Sequence, residues 1–357
     1  MKFDLNNLVR ENIKKLVPYS SARSEYKGTE GIFLDANENS FCPNVSQKEI
    51  IGTALNRYPD PMQFSLKEEI SKIKFIPAKN IFLGNGSDEA IDILYRAFCE
   101  PGKDNTLICP PTYGMYEVSA NINNVEVIKV SLIAETFQLD TDAILKSITQ
   151  NTKLIFICCP NNPTGNGVKW LAIKQILDNF NGIVVIDEAY IDFAGYRSLI
   201  PELANYPNMV ILQTFSKAWG LAGLRLGMAF ASEEIIEIFN KIKPPYNINA
   251  VSQKLVIDIL NNSVQVSSSV IEIISERKRL SEALSKLKFV LKVYPSEANF
   301  LLVKTTNANN VYAYLIKNKI IVRKRNTIIL CDDCLRITIG TKKENEILLN
   351  ILKEYKT

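Results

Sequence analysis

A chain of 357 residues with 46% hydrophobic side chains can bury a substantial core and has room for two domains. Its 42 basic and 38 acidic residues leave a formal net charge of only +4, with no basic block of the kind that holds nucleic acid. Histidine is absent, which excludes a Ser-His-Asp triad, a Cys-His pair and a His-ligated zinc, so proton transfer near neutral pH falls to another group, most naturally a lysine of lowered pKa.

Lys2, Asp4, Arg10, Glu11, Lys14 and Lys15 lie at the start, where a signal peptide would be apolar, so none is expected. No uncharged run reaches membrane-spanning length, so no membrane association is expected. The seven cysteines are odd in number and scattered, which reads as reduced thiols in a cytoplasmic protein. Residues 1–44 read as an arm. A short amphipathic segment (Leu5, Leu8, Val9, Ile13, Leu16) stops at Pro18. A strand-like Gly31-Ile32-Phe33-Leu34-Asp35 and the turn-rich Ala36-Asn37-Glu38-Asn39 follow. Arg57-Tyr58-Pro59-Asp60 reads as a surface turn.

The short strand Ile81-Phe82-Leu83 runs into Gly84-Asn85-Gly86-Ser87-Asp88-Glu89, ahead of a helix near Ala90. Two readings stand. Glycines at such a turn let backbone amides approach a phosphate at a helix N-terminus. Equally, Ser87 or Asp88 is an ordinary helix cap. A dinucleotide fingerprint is missing. From about residue 87, apolar runs of strand length alternate with helix-length segments: Leu107 to Cys109, Leu154 to Cys158, Ile183 to Ile186 and Val210 to Thr214. Strands apolar throughout predict an α/β fold with a mostly parallel central sheet covered on both faces. Ligands of such sheets gather at the carboxyl ends of the strands. Pro244-Pro245 ends the helix carrying Ile235, Ile238 and Phe239. A charged helix from Val270 to Leu287, a strand Phe300 to Val303, a helix Val311 to Ile316, and strands Ile320 to Val322 and Cys334 to Gly340 predict a smaller α/β domain with a mixed or antiparallel sheet. The expected division is an arm, 1–44, packed with the small domain, a large cofactor-binding domain, 45–247, and a small domain, 248–357.

Four strand ends carry chemistry. They deliver Tyr113 in Pro110-Pro111-Thr112-Tyr113-Gly114, Asn162 in Pro160-Asn161-Asn162-Pro163-Thr164-Gly165, Asp187 and Tyr190 in Asp187-Glu188-Ala189-Tyr190, and Lys217 in Ser216-Lys217-Ala218. An Asp, a Tyr, an Asn and a Lys so placed are what pyridoxal phosphate needs: a lysine for the Schiff base and a carboxylate that keeps the pyridine nitrogen protonated. Asp187 is also compatible with a Mg²⁺ site, but the phosphate-loop motif that accompanies one is missing, and no metal is expected. Tyr113 can stack on a flat ring or simply occupy a proline-stiffened turn. Cys331-Asp332-Asp333-Cys334 is a lone Cys-x-x-Cys and reads as a turn with two unreactive thiols.

At these residues the chain resembles the fold-type I pyridoxal-phosphate-dependent aminotransferases. Leu34-Asp35-Ala36-Asn37-Glu38-Asn39, Arg57-Tyr58-Pro59, Gly86-Ser87-Asp88-Glu89, Asp187-Glu188-Ala189-Tyr190, Ser216-Lys217-Ala218 and Leu335-Arg336-Ile337-Thr338-Ile339-Gly340-Thr341 occur in that order. Together with Pro18-Tyr19 and Ala22-Arg23 they resemble the histidinol-phosphate aminotransferase family over nearly the whole length. The resemblance implies that Lys217 carries pyridoxal 5'-phosphate and that Asp187 pairs with its ring nitrogen. It implies that Asn162 and Tyr190 bond the phenolic oxygen and that Tyr113 lies over the ring. Ser87, Asp88, Ser216 and Arg225 would hold the phosphate, and Tyr58 would reach it in the other subunit of a homodimer with shared active sites. Arg323 and Arg336, with Tyr19 and Asn162, would bind substrate. Bidentate arginine is the usual phosphate reader, although Arg323 within Arg323-Lys324-Arg325 also reads as a solvated charge. The implied activity is transamination between L-histidinol phosphate and 2-oxoglutarate, giving imidazole acetol phosphate and glutamate in histidine biosynthesis. An aromatic amino acid aminotransferase shares every cofactor residue and is the nearest rival. A phosphothreonine-type decarboxylase and a non-catalytic regulator that binds the cofactor rank lower.

Overall fold

The computed structural model describes residues 9–18, 26, 30–41, 54–261 and 263–356. Its centre is a seven-stranded sheet of β2 (Ile81–Asn85), β3 (Asn105–Ile108), β4 (Glu126–Lys129), β5 (Thr152–Cys158), β6 (Ile183–Asp187), β7 (Met209–Thr214) and β8 (Leu226–Phe230), in the order β2-β8-β7-β6-β5-β3-β4. Successive side chains of a strand point to opposite faces. Ile155, Ile157, Val184, Ile186 and Ile211 accordingly enter one core, and Leu154, Phe156, Val185, Val210 and Leu212 enter a second. That is why these strands are apolar throughout: each face is covered and each alternate residue is needed.

Five of the strands run parallel, and β8 is antiparallel to both β7 and β2. Thus β2 points the same way as β7. The carboxyl ends of β2, β3, β5, β6 and β7 and the amino end of β8 share one edge of the sheet. β4 and β8 were not anticipated. β4 carries charged ends (Glu126 and Lys129), and β8 begins inside a glycine-rich stretch that reads as loop.

The helix after β2 begins at Ser87, three residues before the expected start, and ends at Phe98. Gly86 is its cap, with φ 75° and no side-chain cap bond, so neither Ser87 nor Asp88 caps it. Both lie in the first turn, where backbone N–H groups lack helical acceptors.

A second sheet has the order β1-β11-β12-β10-β9, from β1 (Ile32–Leu34), β9 (Val290–Val293), β10 (Phe300–Thr305), β11 (Ile320–Lys324) and β12 (Cys334–Thr338). It is mixed: β1 lies parallel to β11, and the other pairs are antiparallel. The register sets Leu34 beside Val322 and Arg323 opposite Arg336. The helix expected from Val270 spans Val264–Leu284 and packs on β9 and β10. Its first turns include Ser267, Ser268 and Ser269, which hide the helical period in sequence. Helix Ala250–Asn261 packs instead on helix Phe64–Lys74 beside the large sheet. Helix Lys342–Glu354 closes the chain behind a Thr341/Glu344 capping box. Among the described residues, no helix is long and apolar enough to cross a membrane.

Candidate active site

The shared edge of the large sheet faces the end of β1 and the strands β11 and β12 across a cavity of about 230 Å³. Eleven sequence-predicted residues line it. Ser87 and Asp88 come from the helix after β2, and Tyr113 follows β3. Asn162 follows β5, and Asp187 and Tyr190 come from the end of β6. Ser216 and Lys217 follow β7, and Arg225 precedes β8. Arg323 and Arg336 enter from the small sheet. Tyr58 does not line the cavity: it is 80% exposed and stacks on Tyr246, ring centroids 4.4 Å apart. Tyr19, with Ala22 and Arg23, lies outside the described residues.

Lys217 Nζ donates to the Ala36 carbonyl at 2.9 Å and lies 5.8 Å from the Tyr190 ring centre. Burial pushes its amine down to about 8, with Arg336 and Arg225 adding to the effect and Glu38 and Asp88 opposing it. A fraction of free amine near neutral pH follows, as a nucleophilic or proton-carrying lysine requires. Asp187 sits at the bottom, 3% exposed. Tyr116 donates to its Oδ2 at 2.6 Å and the Ala189 N–H to its Oδ1 at 3.1 Å. Burial nevertheless raises its carboxyl to about 6. Tyr190 receives bonds from Asn37 Nδ2 at 3.0 Å and Asn162 Nδ2 at 3.3 Å, and burial raises its phenol above the ordinary value. Asn162 Oδ1 in turn accepts from Arg336 at 2.7 Å, so a side chain from the small sheet is tied to the loop after β5. Arg336 also donates to the Asp35 carbonyl and lies over the Phe300 ring, 5.3 Å from its centre.

The opposite end of the cavity is a turn built for close approach. Arg225 adopts a left-handed conformation, φ 53°, and its guanidinium stands 3.8 Å from Asp88 Oδ2. Tyr113 donates to the other oxygen of Asp88 at 3.0 Å. A Cβ on Gly227 would come within 2.2 Å of the Ser87 nitrogen, so the start of β8 must be glycine for the helix to lie against it.

Sequence reasoning missed several members. Asp35, Ala36 and Asn37 line the cavity from the end of β1, and Gly86, Cys158, Ala189, Thr214 and Arg325 complete it. The Leu34–Asn39 motif was visible, yet only the β1–β11 pairing carries it to Lys217. Tyr116 closes the motif Pro111-Thr112-Tyr113-Gly114-Met115-Tyr116, but the sequence gives it no role; its ring meets that of Tyr113 edge-on, centroids 5.6 Å apart.

The residues fit pyridoxal phosphate. A desolvated carboxylate suits a pyridinium N–H, a buried amine suits the aldehyde carbon, and a helix start with Ser87, Ser216 and Arg225 suits a phosphate. No group of three or more His, Cys, Asp or Glu side chains able to hold a metal occurs among the described residues.

A mostly parallel sheet with a lysine, a buried aspartate and a helix start at its carboxyl edge defines a fold-type I pyridoxal-phosphate-dependent transaminase. Residues 29–352 match the family model of aminotransferase class I and II. Within that class the chain belongs to the histidinol-phosphate aminotransferase family. It is 55% identical to the histidinol-phosphate aminotransferase of Cytophaga hutchinsonii, over 99% of this chain and 100% of that one. It is 53% identical to that of Parabacteroides distasonis, over 99% of each. The crystal structure of the histidinol-phosphate aminotransferase from Clostridium acetobutylicum superposes with a TM-score of 0.82 at 27% identity, covering 90% of this chain and 98% of that one. The Sinorhizobium meliloti enzyme in complex with pyridoxal-5'-phosphate shares the fold, with a TM-score of 0.86 at 20% identity over 97% and 96%.

Proposed function

We propose that the protein transfers an amino group between L-histidinol phosphate and 2-oxoglutarate in histidine biosynthesis. The observation that carries this reading is the Arg323/Arg336 pair. The two lie opposite each other on β11 and β12, only 6% and 5% exposed, in the wall facing Lys217. Like charges side by side away from water are costly, and an anion with several oxygens placed between them offsets that cost. Histidinol phosphate offers a phosphate there, and glutamate offers a carboxylate.

Pyridoxal phosphate, when bound, supplies the carbonyl that accepts the amino group and the ring that stores the electron pair. The Asp187 carboxylate would hold the ring nitrogen protonated. Asn162 Nδ2 and the Tyr190 hydroxyl would bond the phenolic oxygen, and Tyr113 would cover the ring face. Ser87, Ser216, Arg225 and the first-turn amides would hold the phosphate, with Asp88 orienting Arg225. Lys217 Nζ would hold the cofactor and, as a free amine, would carry the proton of the substrate Cα. Its carbonyl partner at Ala36 gives the free amine a resting place.

We further take residue 58 to serve a second subunit, giving a homodimer with shared sites. The exposure of Tyr58 outside its own cavity supports that reading. The strand pairing of β1 with β11 supports a packing of the 1–44 arm with the 248–357 region, while helix Ala250–Asn261 favours a boundary after it instead of before it. We place the protein in the cytoplasm, on the six unpaired, buried cysteines among the described residues.

The test is a half-reaction. Cofactor-loaded protein is mixed with L-histidinol phosphate or with phenylalanine, and loss of the cofactor's absorbance is followed. Fast conversion by histidinol phosphate is expected. Preference for phenylalanine would move the activity to aromatic transamination. Lys217→Ala should abolish turnover, and wild-type-like turnover in that variant would sink the site assignment.

A further inference from the structure

Asn37 lies three residues beyond β1, in the wall of the cavity, and is 1% exposed. Its backbone is left-handed, φ 53°, a conformation that asparagine adopts more readily than most side chains. The peptide unit that offers the Ala36 carbonyl to Lys217 also offers the Asn37 N–H to Thr338 Oγ1, at 3.0 Å. Thr338 has one hydroxyl proton, and it goes to Asn37 Oδ1 at 3.1 Å. That bond fixes which way the amide faces, since the opposite orientation would set an amino group against the hydroxyl proton. Nδ2 is therefore the atom turned to the Tyr190 oxygen, at 3.0 Å. Asn162 is locked in the same manner from the other side. A guanidinium only donates, so the atom of Asn162 that meets Arg336 is Oδ1, and Nδ2 faces Tyr190 at 3.3 Å. Two amides thus donate to one phenol oxygen and fill its acceptor positions. Its own proton is left the direction away from both asparagines, and Tyr190 lines the cavity.

From this arrangement we propose that Asn37 is a positioning residue that aims the Tyr190 hydroxyl proton at the phenolic oxygen of bound pyridoxal phosphate. The inference rests on the cofactor reading of the cavity above and adds to it a residue that acts through Tyr190. Were the atom facing Tyr190 an acceptor, the phenol would turn its proton to that atom and present a lone pair to an ionised oxygen. A donor at that place has the opposite effect and leaves the phenol to donate to the cofactor. A hydrogen bond to an ionised oxygen is about twice as strong as a neutral one. Donation by Asn37 also polarises the O–H that it feeds. The chain of bonds joins the two sheets, because Thr338 ends β12 and Tyr190 follows β6. Asn299 Nδ2 steadies it by donating to the Asn37 carbonyl at 3.0 Å.

The experiment compares wild type, Asn37→Asp, Asn37→Gly, Tyr190→Phe and the double variant Asn37→Asp with Tyr190→Phe, each as cofactor-free protein titrated at pH 8 by absorbance. Two ligands are used: pyridoxal phosphate, and its analogue with hydrogen in place of the phenolic hydroxyl. At pH 8, above even the buried Asp187 carboxyl at about 6, the carboxylate introduced by Asn37→Asp only accepts, so it takes the Tyr190 proton. Asn37→Asp should weaken pyridoxal phosphate by about tenfold to a hundredfold, the worth of a hydrogen bond to a charged group, and hardly change binding of the analogue. Asn37→Gly suits the left-handed backbone. It should show the same selectivity with a smaller loss, and it carries the test if the buried carboxylate prevents folding. In the Tyr190→Phe background the change at position 37 should cost little more, because the hydroxyl it steers is gone. Equal losses for both ligands would mark a merely structural asparagine and overturn the inference. So would an undiminished loss without the Tyr190 hydroxyl, which would mark a direct effect of charge on the cofactor, or unchanged binding in both variants at position 37. If the wild type binds neither ligand, the cofactor reading itself fails and takes the inference with it.

Discussion

Replacing Tyr116 by phenylalanine removes one atom and should shift the pH range in which the cofactor binds. Tyr116 is fully buried, stacks on Phe156 with ring centroids 4.8 Å apart, and donates to Asp187 Oδ2 at 2.6 Å. Its ring contacts survive the change; the bond does not. A short bond to a carboxylate is worth about 1.5–3 kcal/mol, which corresponds to roughly one to two pH units in the ionisation of Asp187. Even with that bond, burial holds the carboxyl at about 6. The sign follows from proton counting. The folded carboxyl binds its proton more tightly than the unfolded one, whose value is 3.8. Stability is therefore lost as pH rises from about 4 to 6, and above 6 the cost is fully present, about 3 kcal/mol. A cationic ring nitrogen against the ionised carboxylate offsets that cost. Below its pKa the carboxyl must shed a proton before it can pair, so cofactor affinity falls on the acid side. In cofactor-free protein titrated with pyridoxal phosphate by absorbance, the acid limb should lie near pH 6 for wild type. It should lie about one to two units higher for Tyr116→Phe, with the two curves converging at alkaline pH. Coincident acid limbs would refute the argument that Tyr116 keeps Asp187 ionised.

Three further outcomes are expected. Lys67 is 5% exposed, and burial, with Lys243 adding to the effect and Asp60 opposing it, pushes its amine down to about 8 from 10.5. The unfolded chain then binds more protons between about pH 8 and 10.5, so stability rises with pH across that window and the cost is fully present below 8. Lys67→Met should raise the unfolding free energy of cofactor-loaded protein at pH 7 by about 2–3 kcal/mol in urea titrations, with the gain gone near pH 10.5; no gain at pH 7 would contradict this. Gly227→Ala sets a methyl 2.2 Å from the Ser87 nitrogen, a backbone atom that cannot swing aside. It should weaken cofactor binding by about a hundredfold or more, as expected when a positioned anion site loses roughly 3 kcal/mol, and dialysis retaining full cofactor would argue otherwise. The six described cysteines are buried and free, and burial pushes Cys109, Cys331 and Cys334 up to about 12. They should react with a thiol reagent at pH 8 only after denaturation; rapid labelling of any of them in the native protein would count against the packing.

Sequence determined the large sheet and its catalytic edge, because the physics there is local. A strand covered on both faces must be apolar at every position, as Leu154 to Cys158 and Ile183 to Ile186 are, and a parallel sheet must present its ligands where such strands end. Asn162, Asp187, Tyr190 and Lys217 were legible for that reason. Two absences in composition, of histidine and of a phosphate-loop motif, narrowed the chemistry further. Tertiary structure alone decided the rest. β8 is a short strand with a glycine, and only pairing between β2 and β7 reveals it and turns Arg225 toward the cavity. The register of β11 against β12 decides that Arg323 faces inward instead of into solvent, since a shift of one residue would send it to the opposite face. Ala36 reaches Lys217, across an interval of 181 residues, because β1 adds to a sheet whose other strands come from the far end of the chain. Tyr116, on the helix Met115–Ile122, reaches Asp187 at the end of β6. Periodicity records which face of an element is buried; it carries no information about which distant side chain that face will meet.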